Sequence, residues 1–230
     1  MTAQMPDAHR RVAILFDIDG TLIVTGGAGS VAWREAFQEL YGVPADIGKY
    51  TDAGMTDPEV GRLTFERVVG REPTAQELAA VLAKRSEYLP DAVARSDGYS
   101  VLPGVEELLP RLAQDGYLLG LTTGGVESAA HIKLERAGLN RWFTFGGYGS
   151  DSPDRVELTR RAVERAETIA GHPLEREQVL VVGDTPLDIT AAHGADVLGV
   201  GVASGHYSQN ELRSAGADFV LGSLEEELPL

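Results

Sequence analysis

Cysteine is absent from this chain of 230 residues. That excludes disulfides, thiolate metal sites and a cysteine nucleophile together. Lysine is nearly absent, since Lys49, Lys84 and Lys133 are the whole set. The five histidines, His9, His131, His172, His193 and His206, fall without metal-ligand spacing and read as solvated or packed side chains. No apolar run approaches the length of a membrane span, and residues 1–10 are polar where a signal peptide would be apolar. The expectation is a cytoplasmic protein that makes no membrane contact. Positive charge is scarce as well, with 20 Lys+Arg against 35 Asp+Glu and a formal net charge of -15. Such a balance disfavours nucleic acid, whose binding needs a basic face to displace counterions. Holding a small anion would take a local cluster of cations or a metal.

What is present is ordinary globular composition, 43% hydrophobic and 24% charged, enough for one large or two modest domains. The chain is organised around Arg11-Val12-Ala13-Ile14-Leu15-Phe16-Asp17-Ile18-Asp19-Gly20-Thr21. A β-forming apolar run ends there in two carboxylates at i and i+2, which project to the same side of a strand. Two like charges that close repel unless a cation or a shared proton relieves them.

From Gly26 onward the pattern turns helical. Thr25-Gly26-Gly27-Ala28-Gly29 reads as a hinge, and Ser30 can cap a helix carrying Trp33, Phe37, Leu40 and Tyr41, stopped by Gly42. Asp57-Pro58-Glu59 opens a second helix, and Thr74 with Glu77 forms a capping box before a third. Residues 26–97 carry no strand signal. Beyond Ser100, helices and apolar runs alternate. The runs are Tyr117 to Thr122, Trp142 to Phe145, Val179 to Val182, Val197 to Val202 and Asp218 to Leu221. A helix begins near Arg155, and Ser208 with Glu211 fits another capping box. Alternation of this kind implies right-handed βαβ units and a parallel sheet. The expected fold is α/β, a Rossmann-like parallel sheet formed by residues 1–25 and 98–230, with an all-helical cap inserted at 26–97.

Strand ends then line up. Asp17 and Asp19 end the first, Thr123 with Gly124 the next, Arg155 lies just past the third, and Asp184 and Asp188 follow the fourth. In a parallel sheet these ends share one edge, beyond which ligands bind.

These motifs resemble the haloacid dehalogenase superfamily, specifically its capped, phosphoglycolate phosphatase-like members. The first motif stands as Asp17-Ile18-Asp19-Gly20-Thr21, the second as Leu121-Thr122-Thr123-Gly124, and the fourth as Gly183-Asp184-Thr185-Pro186-Leu187-Asp188. The third motif departs, because no lysine falls near the start of the helix after the third strand. Arg155 occupies that place, with Lys133, one helix earlier, as the competing cation; position favours Arg155. The resemblance implies a Mg²⁺-dependent phosphatase acting on a small phosphorylated metabolite, as a monomer or homodimer. Asp17 would be the nucleophile and Asp19 the general acid–base. Asp17, the backbone carbonyl of Asp19 and Asp184 would hold Mg²⁺, with Asp188 behind them. Thr123, Gly124 and Arg155 would hold the phosphoryl oxygens.

The cap loop Tyr50-Thr51-Asp52-Ala53-Gly54-Met55-Thr56-Asp57 is the expected substrate reader, although Asp57 also accounts for itself as a helix start. Asp19 argues against dehalogenase chemistry, which lacks the second acid. Three alternatives stay open: a sugar phosphomutase, a phosphonatase using Lys49, and a catalytically silent phosphate-binding protein.

Overall fold

The structure, a computed structural model, describes residues 12–230. Arg11, His9 and the rest of the polar amino-terminal segment lie outside the described residues. Strand β1 (Ala13–Phe16) is buried on both faces, as a continuous apolar run requires. It lies in the middle of a six-stranded sheet of order β5-β4-β1-β6-β7-β8, in which every pairing is parallel. The other strands are β4 (Leu118–Thr123), β5 (Phe145–Tyr148), β6 (Val179–Gly183), β7 (Leu198–Val202) and β8 (Phe219–Leu221). The chain builds β4 and β5 on one side of β1, then returns to its other side with β6. The crevice at the carboxyl end of β1 is therefore a topological switch point, where open α/β sheets bind ligands.

Alternation along β1 divides the core. Ile14 and Phe16 face a large apolar cluster with α4 (Val105–Gln114), whereas Ala13 and Leu15 face α6 (Arg155–Ala170) and α7 (Pro186–Gly194). Helices α5 (Glu127–Glu135) and α8 (Gln209–Ser214) complete the layers.

Between β1 and β4 the chain leaves the sheet through β2 (Ile23–Thr25) and returns through β3 (Tyr99–Val101), which pair antiparallel with Ile23 opposite Val101. Between them stand α1 (Ala28–Tyr41), α2 (Asp57–Val69) and α3 (Ala75–Arg95), packed around Trp33, Phe37, Val60, Phe65 and Val81. The Thr74–Glu77 and Ser208–Glu211 capping boxes are both formed.

Three local expectations shift. Helix α1 starts before Ser30, from Gly27 in the left-handed region. The paired segments β2 and β3 carry a strand on each side of the helical block. The strand expected at Trp142 to Phe145 lies at Phe145–Tyr148, because Leu139–Trp142 forms a 3₁₀ turn. The two glycines in β5 reflect packing, since a Cβ on Gly147 would meet the carbonyl oxygen of Leu158 at 1.9 Å. Among the described residues no helix is long and apolar enough to cross a membrane.

Candidate active site

Where β1 ends, the backbone N–H of Asp17 still donates to Val182 of β6 at 2.9 Å, so the sheet ladder holds the residue in place. The Asp17 side chain turns into a cavity of about 480 Å³, the size of a small-metabolite site. Thr123, Gly124, Arg155 and Asp184 line the same cavity, with Asp19 and Lys133. Thr122 and Thr123 point to opposite faces of β4. Thr122 hydrogen-bonds to Thr159 beneath the sheet at 2.9 Å, leaving Thr123 for the cavity.

Arg155 opens α6, and its guanidinium, almost wholly buried, faces three partners. Nη2 donates to Asp17 Oδ1 at 2.8 Å and to Asp188, while Nη1 donates to the carbonyl oxygen of Gly54 at 2.6 Å. Burial works against its charge, but Asp188 and Asp17 together hold the guanidinium protonated. Lys133 is also buried, and its Nζ donates to Asp19. The two cations were rivals by sequence position, yet the structure brings both to the site, on different acids. Lys49 instead lies on the surface, 3.3 Å from Asp46.

The acids crowd one another. Ligand oxygens of Asp17, Asp184 and Asp188 lie within 4.8 Å of one another. Burial raises the Asp17 carboxyl well above its ordinary range; Asp188 adds to the rise and Arg155 opposes it. Burial likewise pushes Asp184 up to about 7, again with Asp188 contributing. A site that penalises its own negative charge this strongly fits a divalent cation, and an all-oxygen carboxylate set suits Mg²⁺. Asp188 has little left to offer a metal directly. Its Oδ2 accepts from the N–H and hydroxyl of Thr185, and its Oδ1 from Arg155. Asp19 stands apart from the three-carboxylate cluster, its side chain on Lys133.

The segment from Gly54 to Asp57 is docked on the core. Besides the Arg155–Gly54 contact, Thr56 Oγ1 donates to the carbonyl of Pro153 at 3.0 Å and the Asp57 N–H to that of Gly124 at 2.7 Å. The Asp57 carboxylate accepts from the Val126 N–H at 2.9 Å and from the buried Arg85 at 2.7 Å. Gly124 is the point of closest approach. A Cβ there would meet Met55 O at 2.6 Å and Thr56 Cα at 2.9 Å. Backbone atoms cannot swing aside, so Gly124→Ala is expected to hold this segment off the core. Activity should fall by roughly tenfold or more, as for displacements of about 1 Å at a catalytic site, with a Tm close to wild type. Wild-type kinetics in this variant would mean that docking is not part of turnover.

Three further residues line the cavity: Ser204, Gly205 and His206, in the loop after β7. Ser204 Oγ donates to the carbonyl of Gly20 at 2.7 Å. The signal for them was available in the sequence, since they follow a strand end on the same sheet edge as the acids.

Asp17, a second acid at i+2 and two cations, Arg155 and Lys133, thus meet at the switch point of a parallel sheet. The model of the haloacid dehalogenase-like hydrolases matches residues 12–196, and the chain belongs to that family. Among its relatives, a phosphoglycolate phosphatase of Vibrio parahaemolyticus is 29% identical, covering 94% of this chain and 93% of its own. One of Rhodospirillum rubrum is 32% identical, covering 89% and 84%. A hydrolase from Pseudomonas syringae has a similar solved structure, with a TM-score of 0.68, 26% identity and 94% coverage of each chain.

Proposed function

We propose that the protein is a Mg²⁺-dependent phosphatase that releases inorganic phosphate from a small phosphorylated metabolite by way of a phosphoryl group carried on Asp17. The names of the relatives support phosphatase chemistry. One observation carries the reading: Asp17, backed by Arg155, shares a cavity with an Asp19–Lys133 pair beneath a docked loop.

Phosphate-monoester hydrolysis is among the slowest uncatalysed reactions, so positioning and charge neutralisation must supply most of the acceleration. An Asp17 oxygen attacks phosphorus as the ester P–O bond breaks. Asp19 gives its proton to the departing alkoxide. Asp19 then takes a proton from water, whose oxygen attacks phosphorus, and the bond to Asp17 breaks to free phosphate. Lys133 keeps Asp19 oriented between these two duties. Thr123, the backbone around Gly124, and Arg155 hold the phosphoryl oxygens. Asp17 and Asp184, with the backbone carbonyl of Asp19, would hold Mg²⁺, which supplies neutralising charge for the phosphoryl oxygens and for the crowded carboxylates. Residues 26–97 act as a cap whose 53–57 segment excludes water when docked.

The test is phosphate release, with and without Mg²⁺, from phosphoglycolate, hexose phosphates, nucleoside monophosphates and a phosphonoaldehyde. Mg²⁺-dependent release from an ester supports the reading. Silence across the panel would favour the mutase or the silent phosphate binder.

The raised carboxyls give a second check. A carboxylic acid whose folded pKa lies above its unfolded value binds more protons in the folded state, so stability falls as pH rises between the two values. For Asp184 that window runs from 3.8 to about 7. Without metal, Tm should therefore decline from pH 5 towards pH 8. Mg²⁺ at about 100 times its Kd should restore roughly 2.7 kcal/mol, a rise of about 5–10 °C. Protons compete with the metal, so at one fixed Mg²⁺ concentration, set at that multiple of the Kd at pH 8, the gain should be larger at pH 8 than at pH 5.5. Equal gains at both would place Mg²⁺ elsewhere.

A further inference from the structure

With the 53–57 segment docked, the cavity lining is what a leaving group meets. The two cations in that lining are already committed, Lys133 to Asp19 and Arg155 to Asp17 and Asp188. Around them the hinge and cap contribute three glycines together with Val24, Thr25, Ala53, Met55 and Asp57, whose side chains offer apolar surface, one hydroxyl and one carboxylate. The remaining basic side chain among the described lining residues is His206, exposed to solvent. Asp57 is built in rather than incidental. It is buried, and both Arg85 Nη1 and the Val126 N–H fall on its Oδ2. Its Oδ1 is left as an acceptor.

We propose that the alcohol released is uncharged and bears a free hydroxyl that Asp57 accepts, and that esters whose leaving group carries a carboxylate or a second phosphate are selected against. This rests on the phosphatase reading of the same site. A carboxylate in that half of the cavity would lose its hydration beside another carboxylate, with no uncommitted lysine or arginine to meet it. A hydroxyl there donates to Asp57 and leaves no buried acceptor unpaired.

The test compares phosphoglycolate with 2-hydroxyethyl phosphate, which differ only in carrying COO⁻ or CH₂OH at the same position, with p-nitrophenyl phosphate as a general reporter and Mg²⁺ throughout. The expected kcat/KM favours the hydroxyethyl ester by about tenfold or more. Equal or greater activity on phosphoglycolate would overturn the proposal while leaving the phosphatase reading intact. Failure to hydrolyse all three would sink both. Because Asp57→Asn also disturbs the buried Arg85 pair, a second variant adds a cation at an exposed lining position. Ala53→Lys should shift the ratio towards phosphoglycolate by roughly fivefold or more, as expected for a new charge pair in a closed site. An unchanged ratio would count against the proposal. So would a loss of phosphoglycolate hydrolysis in His206→Ala, since the imidazole would then be receiving the carboxylate.

Discussion

Asp17→Asn is expected to lower kcat by a factor of about 10³ or more, as removal of a covalent nucleophile does, without lowering stability. The second half of that result is the informative one. The Asp17 carboxyl is raised well above its ordinary range by burial and by Asp188, against the pull of Arg155. A raised pKa means that the fold disfavours the charged form relative to the unfolded chain. The neutral amide nearly matches the carboxyl in shape and removes that penalty. In metal-free buffer at pH 7.5 the variant should melt at the wild-type temperature or above it, with the same far-UV spectrum. Inactivity accompanied by unfolding would say only that Asp17 is structural. Substantial residual turnover would remove it as nucleophile.

Arg155→Ala should be damaging in both respects. The guanidinium touches Asp17, Asp188 and the carbonyl of Gly54. Its loss leaves buried carboxylates without their cation and the docked segment without one of its anchors. Breaking a buried pair by removing one partner typically costs about 3–5 kcal/mol. The loss should be greater at pH 8 than at pH 5.5, where protonation of the raised carboxyls relieves the charge. Activity should fall on the order of 10²–10³-fold, the usual cost of one transition-state donor. Arg155→Lys separates charge from geometry. One ammonium restores the positive charge but cannot reproduce a planar fork that spans Asp17 and Gly54. Stability is expected to recover more than kcat/KM does, and a lysine variant with wild-type kcat/KM would show that charge alone suffices.

Much of this site was legible because its residues sit where regular structure puts them. Asp17 and Asp19 end an apolar run, Asp184 precedes and Asp188 completes the capping box opened by Thr185, and Thr123 closes β4. Strand period and sheet direction suffice to bring such ends to one edge. What escaped depends on contacts between distant segments. The pairing of β2 with β3 joins three-residue strands on either side of the helical block, too short to leave a periodic signal. Lys133 was readable as a rival to Arg155, but its pairing with Asp19 was not, because it follows from how α5 packs on the sheet. Gly124 was legible as a residue at a strand end, but its close approach to the backbone of Met55 and Thr56 depends on where the cap loop docks. Asp57 read as a helix start within a loop expected to meet substrate, and it both opens α2 and lines the cavity.

The most direct test of the central claim is to acid-quench the enzyme during rapid turnover of p-nitrophenyl phosphate with Mg²⁺ and map any acyl phosphate by borohydride reduction and mass spectrometry. This activated ester makes breakdown of the intermediate limiting, so the phosphorylated form accumulates. Reduction is expected to convert Asp17, and no other carboxylate, to homoserine. Turnover at saturation with Asp17 unmodified, or with the label on Asp19 or Asp184, would contradict a phosphoryl group carried on Asp17.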